Sequence, residues 1–106
     1  MILLEDFKKQ YQKSQFKTIT MLKQIYLELI RSGINPLGYD QPDYFDEVDG
    51  SITLPKNLHI QIGESYLILW QSVKKGEKMI KEVELDQIDN SKAVAKFINI
   101  VKTQLN

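Results

Sequence analysis

Residues 66–70, Tyr-Leu-Ile-Leu-Trp, are apolar at every position. A strand turns successive side chains to opposite faces of its sheet, so this run has no side suited to water. In a chain of 106 residues, the question is what covers the second face. A helix of the same chain, a second copy of it, or another protein would each serve.

The surrounding pattern sets out what is available for that task. Leu4, Phe7 and Tyr11 form one stripe at helical spacing, and Ile19, Leu22, Ile25, Tyr26, Leu29 and Ile30 form another. Lys13, Ser14 and Gln15 interrupt the apolar face between them, which fits one long helix with a weak middle or two helices meeting near Phe16. Gly33 is placed for a left-handed C-terminal cap, Ile34 to pack back on the last turn, and Pro36 to prevent continuation.

Residues 35–50 read as a loop punctuated by Pro36, Gly38, Pro42 and Gly50. It is rich in Asp40, Asp43, Asp46, Glu47 and Asp49, with no Lys or Arg. Tyr39, Tyr44 and Phe45 are available to pin it to the body, and its acids suit the basic surface of the preceding helix.

Strands follow. Ile52 and Leu54 suggest a short one ended by Pro55, and Leu58, Ile60 and Ile62 alternate with Asn57, His59 and Gln61. A turn at Gly63-Glu64, with Gly63 supplying a positive φ, leads into the strand from Tyr66 to about Val73. After a hairpin at 74–77, a last strand over 78–85 places Met79, Lys81, Val83 and Leu85 on one side. Ile80, Glu82 and Glu84 fall on the other. Asp89, Asn90 or Ser91 caps a final helix whose stripe is Val94, Phe97, Ile98, Val101 and Leu105.

The expectation is one α+β domain over residues 1–106: an N-terminal helix, a small antiparallel β-meander of three to four strands, and a C-terminal helix packed on the sheet. Lys plus Arg and Asp plus Glu number 14 each, so net charge supplies no general attraction to nucleic acid or anionic lipid. The absence of cysteine excludes disulfides, thiolate catalysis and cysteine metal sites. Met1-Ile2-Leu3-Leu4 meets Glu5 and Asp6 at once and does not read as a signal peptide. A soluble cytoplasmic protein with no membrane association is the default expectation.

The chemistry-bearing residues are sparse. With Gly50 as its central glycine, an EF-hand alignment places Phe45 at the first ligand position and Lys56 where the terminal Glu belongs, so it fails. Asp43, Asp46, Glu47 and Asp49 form a solvated acidic segment, or a docking surface for a basic partner. His59 is the single histidine, on the polar side of its strand. Glu82 and Glu84 share a strand face, but Lys81 points the other way, so they lack the carboxylate–lysine arrangement of metal-dependent nucleases. The glycines are isolated turn punctuation.

No catalytic residue, metal ligand or cofactor is therefore assigned. The preferred reading is a small noncatalytic protein-interaction or regulatory domain, homodimeric through an apolar sheet face, with an unidentified protein as the other partner class. Tyr66, Ile68 and Trp70 are the contact residues, and Leu67 and Leu69 face the helices. The parity of the strand fixes these groups without fixing which faces outward. One alternative is a small metal-dependent or histidine-assisted hydrolase, or an accessory subunit of an enzyme, using His59 or Glu82, Glu84 and the acidic loop. The other is a nucleic-acid-associated regulator working through Lys8, Lys9, Lys13, Lys17 and Lys23.

Overall fold

A computed structural model of the chain describes residues 4–42, 49–85 and 90–106, excepting the side chains of Leu4, Glu5, Phe7 and Tyr11. The order is α1 (Leu4–Arg31), β1 (Gly38–Asp40), β2 (Gly50–Thr53), β3 (Leu58–Ile62), β4 (Tyr66–Val73), β5 (Gly76–Glu84) and α2 (Ser91–Leu105). The strands form one antiparallel five-stranded sheet in the order β1-β2-β3-β4-β5. An α+β architecture with terminal helices and an antiparallel meander is thus present, one strand larger than the sequence expectation. The added strand is β1, within the segment read as a loop. Three residues are too few to display alternation, and its place is set by pairing, as in the 2.8 Å bond from the Leu37 amide to the Thr53 carbonyl.

The first helix is continuous through Lys13–Gln15. Its fully or nearly fully buried residues are Thr18, Leu22, Ile25 and Leu29, spaced at helical period. It stops as its sequence dictates. Gly33 has φ +83°, its amide donates to Ile30, and the Ile34 amide donates to Leu29 at 2.9 Å, while Ile34 itself is buried. This reciprocal pair of bonds satisfies carbonyls that a helix end leaves open.

Both helices lie on the same side of the sheet. Ile52, Leu58, Ile60, Ile62, Leu67 and Leu69 are fully buried in one cluster with Leu22, Ile25 and Leu29 of α1 and Val94, Phe97, Ile98 and Val101 of α2. Pairing sets Ile60 opposite Leu69 and Ile62 opposite Leu67, so these residues share the inward face. Removing such area from water, at roughly 25 cal/mol per Å², is what holds the layers together. Asn90 occupies the N-cap position of α2 without a side-chain capping bond, and its carbonyl accepts the Val94 amide at 2.9 Å.

Two local expectations are corrected. A bulge between Leu69 and Trp70 pairs Leu69 with Lys81 but Trp70 with Met79, leaving Ile80 as the extra residue of β5. Ile80 therefore packs against the core, and Met79 joins Trp70 on the other face, 59% exposed. Strict alternation had grouped Met79 with Val83 and Ile80 with the glutamates. Gly63 does not have a positive φ. It is glycine because the Tyr66 ring lies over it, where a Cβ would fall 2.1 Å from a ring carbon. The left-handed hairpin residues are instead Lys56 and Asn57, with φ of 62° and 59°.

Candidate protein-interaction face

The strand register carries the second face from residue to residue. Asp40 pairs with Ser51, Ser51 with Gln61, Gln61 with Ile68, and Ile68 with Glu82. Beside this row, His59 pairs with Trp70 and Trp70 with Met79, while Tyr66 pairs with Glu84. Among the described residues no helix lies on this side. Tyr66, Ile68 and Trp70 are half-buried where Leu67 and Leu69 are sealed. The three sequence-chosen contact residues therefore occupy the outward parity of the central strand.

Their partial burial comes from lateral contacts within the face. The His59 ring stacks on Trp70 with centroids 4.1 Å apart and planes 18° from parallel. Gln61 Nε2 donates to Asp49 Oδ2 at 2.9 Å, and the Tyr66 hydroxyl also hydrogen-bonds Asp49. Burial first, then the Asp49 bond and its negative charge, push the Tyr66 phenol up to about 12, with Gln61 pulling weakly the other way. A phenolate here would lose hydration and face a carboxylate. Tyr66 is thus held neutral, its ring clamped between Gly63 and the Asp49–Gln61 pair.

Charge is distributed with one sign. Asp40, Glu77, Glu82 and Glu84 occupy outward strand positions and Asp49 adjoins them, whereas no Lys or Arg stands at an outward position of the described strands. Lys78 pairs with Gln71 and Lys81 with Leu69, on the inward parity. An aromatic and aliphatic strip bordered by carboxylates is the result.

The other candidate sites fare differently. His59 and Glu82 lie two strands apart with β4 between them, and the imidazole is engaged with Trp70. Glu82 and Glu84 share the outward face while Lys81 takes the opposite one, as the alternation implied. Of the acidic docking group, Asp49 is described; Asp43, Asp46 and Glu47 lie outside the described residues, as do Tyr44 and Phe45. Tyr39 sits against Tyr26 in an edge-to-face contact at 5.3 Å, pinning β1 to α1 as the sequence suggested. Among the described residues no group of three or more His, Cys, Asp or Glu side chains is arranged to hold a metal ion. No described helix is long and apolar enough to cross a membrane. Lys8, Lys9, Lys13, Lys17 and Lys23 are all exposed on α1. Sequence reasoning missed the His59–Trp70 stack and the Asp49 tether. Both depend on cross-strand register, which the hairpin lengths alone only partly fix.

No protein-family model matches the chain, and no similar curated protein or solved structure was found.

Proposed function

We propose that this chain is a noncatalytic protein-interaction domain that self-associates through the outward face of its sheet, with Tyr66, Ile68 and Trp70 as the central contacts. One observation carries the reading: both helices cover the same face, leaving the aromatic parity of β4 open among the described residues. Tyr and Trp in fixed rotamers suit an interface because they bury large area with little entropy to lose. The neighbouring His59 stack and Asp49 tether support this by holding the rings before any partner arrives. The lone imidazole, occupied by Trp70, and the separation of His59 from Glu82 favour no hydrolytic reading.

The experiment is molar mass as a function of protein concentration, by sedimentation or light scattering, for wild type and Trp70→Glu. The expected result is a rise from monomer to dimer mass in wild type and a folded monomer throughout for the variant. Two folded monomers over the whole range would overturn the proposal.

A further inference from the structure

Along its strands, the outward face carries opposite charge at its two ends. β4 and β5 run past the end of β3, whose Leu58 pairs with Gln71, and turn at Lys74 and Lys75, both exposed. The turn from β2 to β3 stands beside them. The Ser72 amide donates to the Asn57 carbonyl at 2.9 Å, and Gln71 Nε2 donates to the Lys56 carbonyl at 3.0 Å. The exposed Lys56 is thereby held at the same end, where Glu77 is the one carboxylate among the described strand and turn residues. Towards the opposite end stand Asp40, Asp49, Glu82 and Glu84. The sequence between Asp40 and Asp49 adds Asp43, Asp46 and Glu47 there, with no Lys or Arg.

The uncharged strip Tyr66, Ile68, Trp70 and Met79 runs along the same two strands, and Trp70 stands midway. Lys74 lies four residues beyond it in one direction, and Tyr66, paired with Glu84, lies four residues away in the other. At about 3.3 Å per residue each interval is roughly 13 Å. Sheets packed face to face keep their strands within about 30° of one another and lie about 10 Å apart. A lysine at the rim of such a contact has a stem long enough to carry its ammonium across to a carboxylate on the facing sheet.

We infer that the occupant of the outward face is the same face of a second copy, turned end for end about a two-fold axis that crosses β4 near Trp70, so that Lys74 and Lys75 of each copy meet Glu82 and Glu84 of the other. The inference rests on the self-association proposed above and adds how the two copies are oriented. A two-fold axis at right angles to the strands reverses their direction. Because Lys74 and Tyr66 are equally far from Trp70, it sets each lysine turn over the facing Tyr66–Glu84 pair. The contact is then made twice, as closed isologous symmetry requires. An axis parallel to the strands would instead set lysine turn on lysine turn and carboxylate on carboxylate, and that repulsion disfavours it. The apolar strips meet in either arrangement, so the charged ends decide between them.

Charge swapping and one distance test this. One full-length variant carries Lys74→Glu and Lys75→Glu; a second carries Glu82→Lys and Glu84→Lys. All four positions are exposed, so both are expected to fold, with far-UV circular dichroism as the check. Each alone should dimerise at least about tenfold more weakly than wild type at low salt. An equimolar mixture should restore a heterodimer, because the acidic turn of one then meets the basic strand end of the other, and the reverse holds at the second contact. The chain has no cysteine, so Val73→Cys, at an exposed position beside the turn, takes one spin label per copy and keeps both lysines. Labels in a dimer turned end for end should stand more than roughly 20 Å apart, against roughly 10 Å where the turns coincide. A Lys74/Lys75 variant that dimerises like wild type, a mixture that gains nothing, or the short label distance overturns the inference. The broader proposal then survives if Trp70→Glu still abolishes the dimer. A wild type that is monomeric throughout overturns both.

Discussion

The inward and outward faces of this sheet come from the same five strands, yet they solve different problems. Inward positions are aliphatic and sealed: Leu58, Ile60, Ile62, Leu67 and Leu69 show no exposure. Outward positions on the same two central strands are His59, Gln61, Tyr66, Ile68 and Trp70, all half-buried, with His59 stacked on Trp70 and Gln61 bonded to Asp49. Non-directional burial suffices where two helices close the layer. Where nothing described closes it, side chains that can hydrogen-bond or stack laterally keep a large apolar area in fixed positions. The contrast separates residues sealed in the core from those left half-exposed on the open face.

Adjacent residues of β4 give the sharpest way to break that contrast. Leu69→Ala should cost about 3 kcal/mol of unfolding free energy, since it opens a cavity in a sealed core. Ile68→Ala, one residue away, should cost about 1 kcal/mol or less when measured by denaturant titration at concentrations where the chain is monomeric. Equal losses at the two positions would mean that the outward face is as sealed as the inward one.

A smaller effect of opposite sign is expected within the sealed side. Thr18 is fully buried where α1 approaches Gly50 of β2, and its hydroxyl has no hydrogen-bond partner among the described residues. Thr18→Val keeps the shape and removes the unpaired group, so thermal or denaturant unfolding should show a gain of about 1 kcal/mol. A loss instead would show that the hydroxyl is satisfied in solution.

The finest test reads the outward tether through pH. The folded Tyr66 phenol is raised from 10.0 to about 12, so the neutral form is the one that the fold favours. Its contribution to stability is present below pH 10 and is lost as pH rises from 10 towards 12. Tyr66→Phe should flatten that alkaline decline and remove a late-ionising phenol from the absorbance titration of wild type. A variant that declines and titrates at alkaline pH as wild type does would show that burial and Asp49 do not hold the Tyr66 phenol neutral.

Much of the architecture was legible locally. The α1 stop at Gly33, the stripe of α2 and the alternation of β3 each follow from rules spanning a few residues. Tyr66, Ile68 and Trp70 could be grouped for the same reason. The fate of Met79 and Ile80 could not be read, because a bulge changes the phase of a strand through its pairing with a neighbour. Nor could the role of Gly63: the ring that needs its missing Cβ comes from Tyr66, across the turn. Nor could the setting of the Thr18 hydroxyl, buried beside Gly50 of β2 and unpartnered among the described residues.

By itself the sequence determined that the central strand has two apolar sides, which residues belong to each, and where the first helix stops. Only the tertiary structure decided that Leu67 and Leu69 face the helices and Tyr66, Ile68 and Trp70 face away. Alternation is a period of two, and it reads the same whichever side of the sheet the helices take. That choice is made when α1 and α2 pack together onto one face, a contact between residues far apart in the chain.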